Sequence, residues 1–351
     1  MNTIQFDVKK YEDKYEDLWD DFVEKGIFGT IYHTRKFINY HPKNKFIDYS
    51  IIIYYKNEVV CVVPACRLPN SCDLLTHQSL NIHDPNDIDI DPNEFSTSHN
   101  NNKIFSYLGA TYGGPVFSPK YFEFRYVELI IDCIFNHYKG SIEFRLPNNI
   151  YFYENIFIVY CLLSKHLKMI PELSWYIKTE DDFIANVTNK RNKSNLIKMI
   201  NDPNVECFKT NNITDYQDFY EILKENLNSR HNTEPTHTYE ELIAFKNAVQ
   251  ERQILYIVKE NNIILGGVLV VKVTKTCWYT FYISKNVNTE NNATILYLMY
   301  TITNDAKKEN VKYIDYGITT ENKGKIVNSG LSDFKERSLG GSSNARYLFL
   351  K

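Results

Sequence analysis

The hydrophobic positions of this chain repeat with a period near 3.6 in some segments and near 2 in others, which predicts helices interleaved with strands. In the first half, the β-rich runs at residues 49–55 and 59–66 flank Lys56-Asn57-Glu58 and predict a hairpin. Residues 68–102 are rich in Asp, Asn, Pro and His and predict a long surface loop. The other patterned segments of this half predict helices over residues 11–25, 34–40 and 121–138 and a strand over residues 141–146.

The second half repeats this order of elements. Its clearest hairpin joins residues 254–259 to residues 264–273 across Glu260-Asn261-Asn262. A strand over residues 278–284, a polar loop, a helix over residues 293–309 and a strand over residues 312–316 follow that hairpin. The patterns before the hairpin predict strands over residues 175–179 and 205–209 and helices over residues 181–203, 216–229 and 240–250.

These patterns predict the fold class. Hairpins join antiparallel strands, so we expect an α/β (α+β) protein with mixed, mostly antiparallel sheets. At 351 residues the chain exceeds the size at which a single hydrophobic core usually keeps growing, which favours two domains. We place them at residues 1–165 and 166–351, and we expect the strand pattern at residues 345–350 to complete a sheet of the first domain.

Charge, targeting and cysteine usage argue against several classes of function. The formal net charge is -3 and the basic residues are scattered, so we expect no nucleic-acid partner. Residues 1–7 lack the start of a signal peptide, and no apolar segment approaches the roughly 20 residues of a membrane span, so we expect a cytoplasmic protein. The seven cysteines form no C-x-x-C pair and the histidines no H-x-x-x-H spacing, so neither a disulfide framework nor a metal is expected.

The C-terminal region carries the densest candidate chemistry. Tyr313-Ile314-Asp315-Tyr316-Gly317 predicts a short strand that ends in glycine and presents an acidic residue. After a polar loop, Gly330-Leu331-Ser332-Asp333-Phe334-Lys335 precedes Gly340-Gly341. A carboxylate here can orient an amine or accept its proton, and a lysine can stabilise negative charge that develops on a carbonyl oxygen. The alternatives are that Asp315 binds only the N–H groups of a turn and that Lys335 is a surface lysine beside an anchoring Phe.

These motifs, together with residues 189–198 and 230–241, resemble the Fem-like and BioF2-like acyltransferases. That family is built from two tandem GNAT (N-acetyltransferase) domains, so the resemblance implies two non-identical GNAT-like domains and acyl transfer onto an amine. By resemblance, Lys335 and Asp315 are catalytic, and His237, near the same cleft, is a candidate proton acceptor for the ammonium group of the acceptor. A structural histidine is the alternative for His237.

The resemblance also places acyl-CoA in the second domain. The pantetheine is expected between the strand that holds Tyr279 and Phe281 and the strand that holds Asp315. The diphosphate is expected at the loop with Ser284, Asn291 and Asn292, before a helix whose N-terminus favours anions. This loop lacks the Gln/Arg-x-x-Gly-x-Gly/Ala signature of ordinary GNAT enzymes, although asparagine tolerates the positive φ that glycine usually supplies. A simple solvated loop is the alternative.

Other residues resemble the acceptor-binding groups of the family. A sugar nucleotide is expected to meet basic or polar side chains in Tyr32-His33-Thr34-Arg35-Lys36-Phe37, Tyr112-Gly113-Gly114-Pro115 and Arg230-His231-Asn232. Lysine and arginine suit phosphate as point charge and bidentate fork, although solvated surface charges and a tight turn are the alternatives. The expected contacts are His33, Lys36, Tyr112, Arg230 and His231.

The function expected from this resemblance is acyl transfer from acyl-CoA to the amine of a nucleotide-linked amino sugar, by direct attack on the thioester, for surface-glycan (O-antigen) synthesis. No metal enters that reaction. Two alternatives stay open. One is a peptidyltransferase of peptidoglycan synthesis that uses aminoacyl-tRNA, against which the chain lacks a coiled-coil arm and a basic stripe. The other is a noncatalytic glycan- or nucleotide-binding module.

Overall fold

The computed structural model of the protein describes residues 4–69, 103–139, 142–152, 156–289 and 293–350. From residue 70 onward, the predicted surface loop lies outside the described residues. The chain divides into two compact units. Of the described residues, the first unit contains those up to Glu172 and those from Arg346, and the second contains Leu173–Ala345.

The described residues of the first unit form short strands and four α-helices. The strands are β1 (Asp7–Lys10), β2 (Ile47–Asp48), β3 (Ile51–Tyr55), β4 (Glu58–Val63), β5 (Cys66–Arg67), β6 (Ile104–Phe105), β7 (Val116–Phe117) and β8 (Ile142–Leu146). The helices are α1 (Glu16–Lys25), α2 (Arg35–Ile38), α3 (Phe124–His137) and α4 (Ile156–Ser164). Strand β9 (Lys168–Lys178) leads into the second unit.

The second unit contains the longer strands. They are β10 (Val205–Thr210), β11 (Gln253–Glu260), β12 (Ile263–Lys272), β13 (Cys277–Lys285), β14 (Tyr313–Ile318), β15 (Thr320–Glu321) and β16 (Ile326–Val327). The helices are α5 (Phe183–Asn186), α6 (Lys190–Ile200), α7 (Ile213–His231), α8 (Tyr239–Val249), α9 (Thr294–Lys308) and α10 (Ser329–Asp333). The last strand, β17 (Ser342–Leu350), ends the described chain.

The sheets of the first unit follow from its hairpin and from the C-terminal strand. Lys56 and Asn57 both have positive φ, which is the conformation of the tight turns that best join twisted strands, and the predicted hairpin β3–β4 is confirmed. One sheet has the order β1-β3-β4-β7, and the other places β2, β5, β6, β8 and β17 side by side. Strand β17 is antiparallel to β8, with Tyr347 opposite Leu146. The core packs around α3, which buries Val127, Ile130, Ile131 and Ile134 at helical spacing.

Strands β15 and β16 pair with each other, and the main sheet of the second unit has helices on both faces. Its order is β10-β11-β12-β13-β14-β9, and every pair is antiparallel except β13–β14. The expected mixed, mostly antiparallel sheet is therefore confirmed. On one face, Leu296, Met299 and Ile302 of α9 pack on a core that includes Trp278 and Ile314. On the other face, helices α7 and α8 cover Leu255, Ile257 and Leu269.

Two local features differ from the predicted elements. The single helix expected over residues 181–203 is two helices, because Asp182 and Asn189 each cap a separate N-terminus: their side chains accept the N–H groups of Ala185 and Asn192. Helix α4 was not predicted, since its nine residues include no charged side chain and show little amphipathic periodicity. No helix among the described residues has the length and apolar character to cross a membrane.

Candidate active site

The strands β13 and β14 part in the middle of the second unit's sheet. They pair in parallel only from Cys277 opposite Tyr313 to Tyr279 opposite Asp315. Beyond that point β13 continues to Lys285 along β12, while β14 continues along β9, with Ile318 opposite Ser174. The edge of β13 after Tyr279 therefore turns away from β14. Backbone N–H and C=O groups on such an edge suit an extended ligand that carries amides.

A β-bulge sits at the same level of β13. Leu269 of β12 lies opposite Tyr282 and Val270 lies opposite Thr280, so Phe281 is the extra residue. Bulges bend a strand and redirect its side chains. Here the bulge brings the consecutive aromatic residues Phe281 and Tyr282 to the face covered by α7 and α8, where both pack against its core.

Asp315 is fully buried where the strands part. Its neighbours Ile314 and Tyr316 belong to the α9 core, so the Asp315 side chain points to the opposite face. One carboxylate oxygen, Oδ1, accepts the N–H of Gly317 at 2.8 Å. This is the bond expected if Asp315 binds the N–H groups of a turn, and it occupies Oδ1. The bulge between Asp315 and Gly317 in the β9–β14 ladder keeps the carboxylate beside this turn.

Lys335 lies in a π-helical turn, Phe334–Ser338, that directly follows α10. Its side chain is 6% exposed, and Nζ donates to the carbonyl oxygens of Ile318 at 2.8 Å and Gly317 at 3.2 Å. The surface-lysine alternative therefore does not hold. Single π-helical turns are rare in proteins overall, but those that occur are often found at functional sites. The predicted pair, Asp315 and Lys335, is joined through the backbone of Gly317, which bonds the carboxylate with its N–H and the ammonium with its carbonyl.

Gly317 has a backbone conformation that residues with a side chain rarely adopt. Its φ is +74°, and an added Cβ would lie 2.9 Å from the Tyr279 hydroxyl. Gly317→Ala should therefore lower the free energy of unfolding by about 1–3 kcal/mol, as expected for a strained backbone position. Gly330→Ala is the matched control, because the nearest atom to its added Cβ is 3.8 Å away. Urea unfolding of both variants tests this, and an equal loss in both would contradict it.

His237 is held next to the bulge by two tyrosines. Its Nδ1 lies 2.8 Å from the Tyr282 hydroxyl, and its carbonyl accepts the Tyr220 hydroxyl at 3.0 Å. The His237 ring centroid is 5.5 Å from that of Phe281, which in turn is 6.3 Å from that of Tyr279. A series of aromatic contacts thereby links His237 to the Gly317 turn. Tyr282 had no role in the sequence prediction, although its place in the strand next to Phe281 was visible.

The structure describes only part of the loop that is expected to bind the CoA diphosphate. Ser284 is buried and its hydroxyl donates to the Ile222 carbonyl at 3.3 Å, so this side chain is engaged within the protein. Asn291 and Asn292 lie outside the described residues. Helix α9 starts immediately after them, at Thr294, with no acidic residue in its first turn. That end of the helix suits an anion.

Lys285 and Arg230 are two basic residues whose charges influence each other at the end of β13. The Asn226 side chain donates to the Lys285 carbonyl at 2.7 Å, and Arg230 lies one turn further along α7. Burial lowers the pKa of Lys285, and the charge of Arg230 lowers it further. Sequence reasoning missed Lys285, although it directly follows the predicted strand. The side chain of His231, which ends α7, lies outside the described part.

In the first unit, the expected acceptor residues differ in exposure. His33 is fully buried, its Nδ1 lies 2.7 Å from the Thr30 hydroxyl, and burial lowers its pKa to about 4, an effect that the nearby Gly113 backbone only partly offsets. It is therefore neutral at pH 7 and supplies no charge for a phosphate. Lys36 is exposed, with its backbone N–H beside the Asp20 carboxylate.

Two further side chains of the same region are buried. Tyr112 packs between the rings of Tyr32 and Tyr151 and is 1% exposed. Arg35 forms an ion pair with Asp48 and is 2% exposed. Lys36 is therefore the exposed basic residue of segment 32–37 and stays the candidate contact for a phosphate. In the part of the chain that the structure describes, no cluster of His, Cys, Asp or Glu has the make-up of a metal site.

Comparison with known proteins identifies the fold. No family model and no curated protein matches this chain. Among solved structures, it is similar to FemX, with 11% identity and a TM-score of 0.66 over 98% of this chain and 96% of that one. It is also similar to L-PGS from Bacillus licheniformis (7% identity, TM-score 0.56, covering 98% and 93%). A tandem GNAT protein from the clavulanic acid biosynthesis pathway gives 7% identity and a TM-score of 0.53, covering 98% and 97%.

Identities this low speak for the fold alone. The protein has a Fem-like tandem GNAT fold, so the fold class expected from its sequence is confirmed. Fold by itself selects neither a reaction nor a substrate.

Proposed function

We propose that this protein is an N-acyltransferase that moves the acyl group of acyl-CoA to the amine of a nucleotide-linked amino sugar. One observation carries the proposal: β13 and β14 part directly beside the turn where Lys335 and Asp315 are buried. An extended thioester that pairs with the edge of β13 would bring its carbonyl to that turn. The proposal assigns the acyl donor to the second domain.

The reaction needs positioning and charge stabilisation rather than a covalent enzyme intermediate. The amine nitrogen attacks the thioester carbonyl carbon, the C–N bond forms, and the C–S bond breaks with the electron pair leaving on sulfur. Asp315 orients the amine, and His237 accepts the proton that the amine loses. Lys335 stabilises the negative charge on the carbonyl oxygen as the tetrahedral intermediate forms. The CoA thiolate then takes up a proton and leaves as the thiol.

Several basic side chains support the proposal that both substrates carry phosphate groups. Lys285, at the end of β13, and the N-terminus of α9 suit the diphosphate of CoA. Lys36 and Arg230 are exposed basic side chains, and each by itself suits a phosphate group of the acceptor. Surface-glycan synthesis is a process that consumes N-acylated sugars on such carriers.

A ligand panel followed by a product assay tests the proposal. Thermal shifts would be measured with acetyl-CoA and longer acyl-CoA thioesters, with UDP- and dTDP-linked amino sugars, and with aminoacyl-tRNA. A specific ligand raises the melting temperature by mass action. We expect shifts with a CoA thioester and with one sugar nucleotide, and an acylated sugar by mass spectrometry when both are present.

Each alternative predicts a different result in the same panel. A rise in melting temperature with aminoacyl-tRNA, and none with any CoA thioester, would mean that aminoacyl-tRNA and not acyl-CoA is the donor. Binding of the sugar nucleotide without any product would favour the noncatalytic module.

Lys36→Ala and Arg230→Ala should each raise the KM for the sugar nucleotide and leave kcat close to the wild-type value. A phosphate contact exists in the ground state and in the transition state alike, so its loss removes uniform binding. Loss of a charge-assisted contact of about 1.5–3 kcal/mol corresponds to a rise in KM of roughly 10- to 150-fold. Lys275→Ala, which removes an exposed cation before the opposite end of β13, is the control. An unchanged KM in both variants would remove the case for a diphosphate-linked acceptor.

A further inference from the structure

The gap between β13 and β14 has a closed end, which lies where the two strands stop pairing. The last pair of the parallel ladder is Tyr279 opposite Asp315. One residue further along β13, the Thr280 hydroxyl donates to the Asp315 carbonyl at 3.2 Å, so a side-chain hydrogen bond holds the strands together where the ladder stops. A ligand that follows the edge of β13 therefore cannot continue between the strands past this level.

Protein core fills one face of this closed end. Trp278, Ile314 and Tyr316 are buried there and belong to one hydrophobic cluster with α9. Successive residues of a strand point to opposite faces, so Tyr279 and Asp315, which alternate with these residues, point to the face covered by α7 and α8. Room for a substrate at the closed end is thus confined to that second face.

The Tyr279 side chain occupies this room. Its hydroxyl would lie 2.9 Å from a Cβ added to Gly317, and its ring carbon Cε2 would lie 3.3 Å from that Cβ. Gly317 follows Asp315 by two residues, which is at most roughly 7 Å along β14. The aromatic side chain therefore reaches from its own level, opposite Asp315, to the Gly317 turn. The Phe281 ring, with its centroid 6.3 Å away, stands beside it.

The proposed donor enters from the opposite, open end of the gap. Its diphosphate is assigned to Lys285 and the start of α9, and its thioester carbonyl to the turn that binds Lys335. From Lys285 back to Tyr279, the edge of β13 is about 20 Å long. An arm that runs along this edge brings the acyl group to the turn last. The carbons beyond the carbonyl then point toward the closed end and meet the Tyr279 ring.

We propose that the Tyr279 side chain sets the length of the acyl group that the donor site accepts, because it closes the site directly beyond the thioester. The inference rests on the proposed function and deepens it: the acyl group is a short one such as acetyl, and a longer chain collides with the ring. Tyr279 is a specificity-determining residue and transfers no proton. Removal of its ring opens at most roughly 7 Å along β14, which is room for a few more carbons.

Acyl-CoA thioesters of increasing length, from acetyl-CoA to hexanoyl-CoA, test this with the sugar nucleotide selected by the panel. The wild-type protein should have a kcat/KM for hexanoyl-CoA at least roughly tenfold below that for acetyl-CoA, since a pocket of fixed size discriminates by this much for a single methylene. Tyr279→Ala should remove this preference, whereas Tyr279→Phe keeps the ring and should keep the preference. Tyr279→Leu, of intermediate size, should fall between them and keeps the test decisive if the alanine variant does not fold.

Tyr313→Ala is the matched control. Tyr313 precedes Asp315 by two residues and lies opposite Cys277, on the same face but in the paired part of the sheet. Its replacement removes a ring of the same size outside the gap and should leave the preference for chain length unchanged. Equal use of acetyl-CoA and hexanoyl-CoA by the wild-type protein would overturn the inference. A wild-type preference in both Tyr279→Ala and Tyr279→Leu, or an equal loss of preference in Tyr313→Ala, would overturn it too.

Binding measurements separate this inference from the proposed function. The affinities for acetyl-CoA and hexanoyl-CoA, measured by isothermal titration calorimetry without the acceptor, require no turnover. If neither thioester binds to the wild-type protein, the acyl-CoA donor is wrong and the proposed function fails with it. If both bind and are transferred equally well by the wild-type protein and by Tyr279→Ala, the donor stands and the restriction by Tyr279 is rejected.

Discussion

Lys335→Ala should lower kcat by roughly a hundred- to a thousand-fold, with a much smaller change in the KM for the acyl donor. A charge aimed at the developing oxyanion acts mainly in the transition state, and loss of one such interaction costs about 2.7–4 kcal/mol. The structure adds a reason for a large effect. The ammonium is buried and is held by two carbonyls at the point where β13 and β14 part, so its charge is fixed in position.

The Lys335 prediction is measured by steady-state kinetics on folded protein. Removal of the ammonium leaves the carbonyls of Gly317 and Ile318 without this donor, so Lys335→Met, which keeps most of the side-chain volume, accompanies the alanine variant. Arg337→Ala is the matched control: it removes a cation from the same π-turn whose side chain is about half exposed and ion-paired to Asp333. Turnover near the wild-type value in both Lys335 variants would sink the catalytic role.

The first unit should lose stability as the pH falls from 6.5 toward 4. Burial lowers the pKa of both His33 and His41 to about 4, whereas a histidine in an unfolded chain titrates near 6.5. In this window the unfolded state binds protons that the folded state excludes, so the free energy of unfolding decreases with decreasing pH. For each histidine, the lowering of the pKa from 6.5 to about 4 corresponds to about 3 kcal/mol of the free energy of unfolding, most of which is lost by pH 4.

Urea unfolding at pH 7.5 and pH 5 measures this acid sensitivity. Trp19 reports on the first unit, because its indole N–H donates to the His33 carbonyl at 2.7 Å. His33→Asn should show a smaller loss between the two pH values than the wild-type protein, even if it is less stable at both. His166→Asn changes an exposed histidine and should keep the wild-type pH dependence. Parallel curves for all three proteins would contradict the assignment to His33.

Local sequence determined the elements whose chemistry is contained in a few neighbouring residues. Thr238 and Glu241 form a capping box that starts α8, Thr34 caps α2, and Asn261 and Asn262 supply the positive φ values of the β11–β12 turn. The break between α5 and α6 was missed, since a second cap inside an apolar pattern is a weak signal.

Tertiary structure decided what the polar residues do. Nothing near His33 in the sequence distinguishes it from Lys36, yet one is enclosed and neutral and the other is exposed. The hydrogen bond from Asn226 of α7 to the Lys285 carbonyl joins α7 to the end of β13, which brings Arg230 near Lys285. Burial, pKa and hydrogen-bond satisfaction depend on atoms that are distant along the chain, so the periodicity and spacing of a single sequence do not contain them.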